Sequence, residues 1–178
     1  MRSTLLIILS VLLVSGMRAQ DLATVTPADE QTEKLFREGS QAYNSAGYAR
    51  AIDLFDQVLQ RDPDHLNAYL QRAFCLSLLQ QYELAVADFT AVIERKGDHL
   101  WAYTSRGSAY NRLGRHDLAM RDFDTVLGLD PKDQEAYNNR GWAKKALGDM
   151  PGACQDWRTS RKLGNGEARI ILENNRCK

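Results

Sequence analysis

A 34-residue period constrains this chain more than any single residue does. When residues 66–99, 100–133 and 134–167 are aligned, the same residue types recur in column. Tyr69, Tyr103 and Tyr137 share one column, and Arg72, Arg106 and Arg140 share another. Ala73, Gly107 and Gly141 form a small column; Phe89, Phe123 and Trp157 form a large one; Ala85, Ala119 and Ala153 a second small one. An earlier copy, 32–65, keeps Leu35, Gly39, Tyr48, Ala51, Phe55, Val58 and Pro63. Small residues belong where two helices cross closely, and large apolar ones where the neighbour needs a knob. A unit of this kind cannot bury its apolar face alone, so successive units must stack.

Within a unit, apolar residues fall three or four apart, the period of an amphipathic helix. The third unit shows it best, with Tyr103, Gly107 and Tyr110 on a first helix (A) and Ala119, Phe123, Val126 and Leu127 on a second (B). Gly114 and Gly148 suit the left-handed residue that ends a helix. Ala46-Gly47 and Gln80-Gln81 occupy the same turn in the first two units, so glycine is preferred there rather than required. Pro63 and Pro131 break the chain between units. Ala168, Ile171 and Leu172 make an apolar stripe near the C-terminus, which predicts a capping helix over 168–178.

This cadence resembles the tetratricopeptide repeat (TPR). The resemblance implies an all-α, right-handed superhelical solenoid of helix–turn–helix units over 32–65, 66–99, 100–133 and 134–167, closed by the capping helix. The run Gly148, Ala153-Cys154-Gln155-Asp156-Trp157, Leu163-Gly164 and Cys177 is similar to the closing repeat of exported bacterial TPR proteins, which implies a periplasmic or secreted setting.

Residues 1–19 read as an export signal: Arg2, an apolar stretch from Leu5 to Val14, and Ala19 as a small residue for cleavage. The apolar stretch is about half the roughly 20 residues a membrane helix needs, so no stable span is expected after cleavage. Residues 20–31 are polar and read as a flexible lead-in. The chain carries 23 basic and 23 acidic residues, a balance that argues against nucleic acid as a partner. The charge is unevenly spread: residues 20–65 hold four basic and nine acidic side chains, and residues 66–178 hold 17 and 14.

An exported chain can pair its cysteines. Cys75, among Phe74, Leu76 and Leu79, reads as a buried thiol. Cys154 lies eight residues before the expected end of the last B helix, and Cys177 about eleven residues into the capping helix. At 1.5 Å per residue both stand at nearly the same height in an antiparallel pair, which predicts a Cys154–Cys177 disulfide. The arginine column has a similar logic. Arg72, Arg106 and Arg140 each have an aspartate sixteen residues on, at Asp88, Asp122 and Asp156, while the first unit has Glu38 and Leu54 in those columns. Joint presence and joint absence predict a structural ion pair joining helix A to helix B.

A search for catalytic chemistry finds no phosphate-binding glycine loop, no nucleophile elbow and no His-Glu-x-x-His. His65, His99 and His116 lack partners at metal-ligand spacing. The chain is therefore expected not to be an enzyme, and no metal or cofactor is expected. The TPR resemblance instead implies a protein or peptide partner held in a concave groove by the second, fifth, ninth and twelfth residues of each repeat. These are Glu33, Phe36, Ser40 and Tyr43; Asn67, Leu70, Phe74 and Ser77; Trp101, Thr104, Ser108 and Asn111; and Glu135, Asn138, Trp142 and Lys145. Large apolar side chains at these positions are surplus to the core columns, so they read as binding residues. A rival reading wedges Trp101 and Trp142 between neighbouring A helices, and another docks the convex face to a larger assembly. Chaperone-tail recognition of the kind that TPR cochaperones perform is not expected, since the positions of their cationic carboxylate clamp hold Phe36, Ser40, Gln71, Trp101 and Ser105. Oligomeric state is left open by these residues.

Overall fold

The computed structural model describes residues 27–177. The described residues form nine α-helices and no strand: α1 (Pro27–Asn44), α2 (Tyr48–Arg61), α3 (Leu66–Leu78), α4 (Tyr82–Arg95), α5 (Leu100–Arg112), α6 (His116–Leu129), α7 (Gln134–Ala146), α8 (Met150–Lys162) and α9 (Glu167–Asn174). Each helix packs on its neighbours in sequence, and α1 also meets α3 as α5 meets α7. Four helix–turn–helix pairs thus stack into a right-handed solenoid, with odd-numbered helices as A and even-numbered as B, and α9 closes the end. No described helix is long and apolar enough to cross a membrane.

Two sequence expectations are corrected at the ends. The lead-in was expected to run to residue 31, but α1 begins at Pro27. Asp29 and Glu30 lie in its first turn, where carboxylates favour the positive end of the helix dipole. The expected export signal over 1–19, and residues 20–26, lie outside the described residues. At the other end the cap does not reach residue 178: α9 stops at Asn174, and Arg176 turns left-handed at φ 52°.

The core is a stack of small-against-large contacts. Phe55, Phe89, Phe123 and Trp157 are fully buried in the B helices. Each faces the small column of its own A helix, at Gly39, Ala73, Gly107 and Gly141. A Cβ at Gly39 or Gly107 would stand 2.7 or 2.8 Å from the opposing phenylalanine ring. At Gly141 it would stand 2.5 Å from Trp157 Nε1, which donates to Asn138 O at 3.1 Å. Val58, Val92 and Val126 are buried one turn further on. Ser160 takes that position in the last pair, where its buried hydroxyl donates to Gln134 O at 2.7 Å.

The A-to-B turns are one motif repeated. The N–H groups of Gly47, Gln81, Arg115 and Asp149 each reach back five residues, to Ala42 O, Leu76 O, Tyr110 O and Lys144 O at 2.8–2.9 Å. This closure puts the preceding residue in the left-handed region: Ala46 at φ 58°, Gln80 at 60°, Gly114 at 72° and Gly148 at 87°. Only the last two can adopt it without cost. Gln80→Gly is therefore expected to raise the unfolding free energy by about 0.5–1 kcal/mol, the left-handed penalty less the added freedom of the unfolded chain. Chemical denaturation checks it, with Gly114→Ala shifting the midpoint in the opposite direction.

The A helices α3, α5 and α7 are capped by the residue just before them. His65 Nδ1 accepts from Ala68 N at 3.1 Å, His99 Nδ1 from Ala102 N at 3.2 Å, and Asp133 Oδ1 from Ala136 N at 2.8 Å. Two of the three histidines are thereby occupied with backbone, and His116 Nδ1 lies 3.1 Å from Asn111 Oδ1.

Candidate functional site

The repeated arginines set the frame on which any site here is built. Arg72 donates from Nε and Nη2 to both carboxylate oxygens of Asp88, at 2.7 and 2.6 Å. Arg106 grips Asp122 the same way at 2.9 and 2.7 Å, and Arg140 grips Asp156 at 2.8 and 2.8 Å. Bidentate forks of this kind fix direction as well as distance. The remaining Nη1 crosses to the preceding repeat, reaching Asp56, Thr90 Oγ1 and Asp124 respectively. Each arginine therefore joins three helices. The link between repeats was missed in the sequence, although the column sixteen residues before each arginine holds Asp56, Thr90 and Asp124. Arg72, Arg106 and Arg140 also lie 5.4–5.6 Å from the ring centres of Tyr69, Tyr103 and Tyr137, which accounts for the tyrosine column. The paired carboxylates hold all three guanidinium groups above their ordinary pKa.

The closing pair carries one more tie. Cys154 on α8 is bonded to Cys177, with the two Cα atoms 5.5 Å apart. Cys177 sits beyond α9 rather than within it, and its N–H donates to Leu172 O at 3.0 Å. The left-handed Arg176, not helix length, brings it opposite Cys154. Cys75 is a free thiol in the core, and burial pushes its pKa up to about 11.

The inner face of the A helices holds three neighbouring clefts. The first, of 350 Å³, lies among Tyr43, Phe74, Ser77, Ser105, Ser108 and Arg112. The second, of 180 Å³, lies among Phe74, Trp101, Thr104, Ser105 and Glu135. The third, of 510 Å³, lies among Ser108, Asn111, Arg112, Asn139 and Trp142. Shared walls make them one furrow along α3, α5 and α7. Trp101 is 73% exposed at its edge, so it is not wedged between helices. Trp142 is 38% exposed and packs edge-on against Trp157 with ring centres 5.1 Å apart. It serves core and cleft together.

Several expected groove residues lie elsewhere. Phe36 and Leu70 are half-buried against the core, and Thr104 is buried although one side lines a cleft. Phe36 also packs on His65 with ring centres 4.7 Å apart. The idea that large side chains at these positions are surplus to packing therefore fails for the fifth column, where the neighbouring helices close over the side chain. Asn138 belongs to that column too, and its Oδ1 is buried with no hydrogen-bond partner among the described residues. Asn67 is exposed and lines none of the three clefts. Lys145 is drawn to the cap, where Nζ donates to Asn175 Oδ1 at 2.6 Å. Conversely, Ser105, Arg112 and Asn139 line the furrow although they lie outside the four expected columns. They stand at the sixth and thirteenth positions, and a helical turn of 100° per residue sets these beside the second and ninth.

Several of the furrow's polar groups are neutral and engage one another. Asn111 Nδ2 donates to Asn139 O at 3.2 Å, and Asn139 Nδ2 donates to Ser108 Oγ at 3.5 Å. Among the described residues no group of three or more His, Cys, Asp or Glu side chains is placed to hold a metal.

Comparison with known proteins agrees with this architecture. Two family models, each described as tetratricopeptide repeat, match residues 48–105 and 102–133. The chain thus carries tetratricopeptide repeats on a TPR-type solenoid. Among solved structures it is similar to "MamA 41-end from Desulfovibrio magneticus RS-1", at 25% identity and a TM-score of 0.72, covering 74% of this chain and 75% of that one. It is also similar to "First TPR of Spaghetti (RPAP3) bound to HSP90 peptide SRMEEVD", at 25% identity and a TM-score of 0.64, covering 67% and 94%. A curated relative, Stress-induced-phosphoprotein 1 of Caenorhabditis elegans, is 30% identical over 70 residues, 39% of this chain. The matched stretch spans about a fifth (21%) of that relative's length.

Proposed function

We propose that this chain is a non-enzymatic protein-interaction module, an adaptor or assembly factor that holds an extended peptide segment of a partner in the furrow of α3, α5 and α7. The observation that carries the reading is Trp101, an indole 73% exposed at the rim of a cleft it shares with Phe74 and Thr104. Aromatic side chains of this size, held by a rigid helix and left in solvent, are what binding hot spots are made of. The peptide bound to the Spaghetti repeat supports a groove mode for repeats of this shape. The ligand here would differ in chemistry from a carboxylate-ended tail. The positions of the cochaperone clamp, Phe36, Ser40, Gln71, Trp101 and Ser105, offer no cation, and Arg112 is the cation among the named lining of the furrow, so apolar side chains and backbone amides are the groups it is mainly equipped to meet. We place the module in the periplasm or outside the cell, on the strength of the signal-like residues 1–19 and the cysteine pair.

The test is a crosslinked pull-down with the wild type and Trp101→Ala side by side. Loss of a central aromatic anchor commonly costs about 2 kcal/mol of binding, so the variant should recover the partner about 30-fold less efficiently. Its circular dichroism and melting curve should be unchanged, since an exposed indole contributes little to the fold. A variant that melts early yet binds normally would transfer the interaction to the convex face, where Leu84 and Leu118 are exposed.

A further inference from the structure

Away from the furrow, the C-terminal end of the solenoid holds a 520 Å³ cleft whose wall is mostly arginine. Arg158 and Arg161 come from α8, Arg169 from α9 and Arg176 from the turn after it, around Leu172, with Glu173 as the one carboxylate. We propose that this cleft binds a ligand carrying clustered phosphate groups.

Arg158 is already engaged, so the excess rests on the other three: among the described residues, Arg161, Arg169 and Arg176 against Glu173 leave a local positive charge that the neutral whole chain conceals. Guanidinium groups stay protonated at any ordinary pH, so the excess is permanent. The contrast with the interior arginines is direct. Arg72, Arg106 and Arg140 each spend their donors on two partners inside the solenoid. Arg161, Arg169 and Arg176 enter no ion pair among the described residues. Like charges gathered in one cleft repel, and an anion placed between them relieves that repulsion.

The backbone beside this cleft is also strained. Three of the six left-handed residues described are glycine, while Ala46, Gln80 and Arg176 are not, and Arg176, at φ 52°, is the one that lines this cleft. A long β-carbon-bearing side chain is disfavoured there, and strain of this kind concentrates at functional positions. Here it is held by the hydrogen bond from Cys177 to Leu172 O and by the Cys154–Cys177 disulfide, so that the backbone carrying Arg176 is held beside the cleft. The volume lies in the range of small-molecule sites and exceeds the needs of a single inorganic ion. Phosphate is favoured over peptide carboxylate because it concentrates more charge and more acceptor oxygens in the same space, matching planar forks that donate in pairs.

The probe is inorganic tripolyphosphate, titrated calorimetrically into the folded chain. We expect saturable binding that weakens as salt rises, with Arg161→Gln and Arg169→Gln each lowering affinity about tenfold at unchanged melting temperature. Arg176→Gly is the sharper variant. It should lose affinity about tenfold while melting higher than the wild type, since glycine relieves the left-handed strain. A residue with only a structural role would move the melting temperature alone. Sedimentation with phosphatidylcholine vesicles, with and without cardiolipin, separates the sources: pelleting only with cardiolipin marks a lipid headgroup, and tripolyphosphate binding without pelleting marks a soluble ligand. Neither probe binding, binding indifferent to all three substitutions, or tighter binding of polyglutamate than of tripolyphosphate would overturn the proposal.

Discussion

Replacing Arg106 with leucine should lower the unfolding free energy by about 3 kcal/mol, and adding Asp122→Leu should recover much of that loss. The reason lies in what each variant leaves behind. Arg106 and Asp122 share two hydrogen bonds at 2.9 and 2.7 Å, and the Asp122 side chain is 6% exposed. Without its arginine, that carboxylate stays buried with its charge partner removed. With leucine at both positions, the space holds apolar groups of similar size and no stranded charge. Urea denaturation of both variants measures the difference. The recovery should be incomplete, because Arg106 also donates to Thr90 Oγ1 of the preceding repeat at 3.0 Å. A double variant no more stable than the single one would mean that the pair holds the repeats together by its own attraction, and the structural reading would have to change.

Gly141→Ala should cost about 2–3 kcal/mol, more than the same change at Gly107. Both glycines face a large ring, so both new methyl groups overlap it. The difference is in the freedom of the ring. Phe123 has no polar anchor, and Ala73 opposite Phe89 shows that an alanine–phenylalanine pair fits this fold. Trp157 cannot withdraw without breaking its hydrogen bond to Asn138 O, and Trp142 packs on its other side. The pairing can be tested by coupling. Gly141→Ala with Trp157→Phe rebuilds the combination of the second repeat, and its destabilisation should fall well short of the sum of the single changes. Additive losses would show that the clash is absorbed elsewhere.

These two sites also mark how far the residues alone could be read. The repeat period, the small-against-large columns and the arginine–aspartate spacing are all one-dimensional consequences of stacking identical units, so they are visible in the chain. A repeat can bury its face only against its neighbours, and each column must therefore satisfy the same contact in every copy. The cysteine pair was legible for a related reason, since helical rise converts sequence distance into height.

What the chain did not disclose are contacts set by rotation and by closure around an end. Arg72, Arg106 and Arg140 reach into the preceding repeat because the superhelical stacking angle brings Asp56, Thr90 and Asp124 within range. Phe36, Leu70 and Asn138 turn inward, and Ser105, Arg112 and Asn139 turn toward the furrow, by angles that a position number does not carry. Cys177 meets Cys154 through a left-handed Arg176 beyond α9, where a longer helix was expected. Local pattern fixes which residues must pack, because propensity and periodicity act within a few turns of chain. Which side chains remain free to meet a ligand depends on how adjacent units rotate and how the last one is covered, and only the assembled solenoid sets those angles.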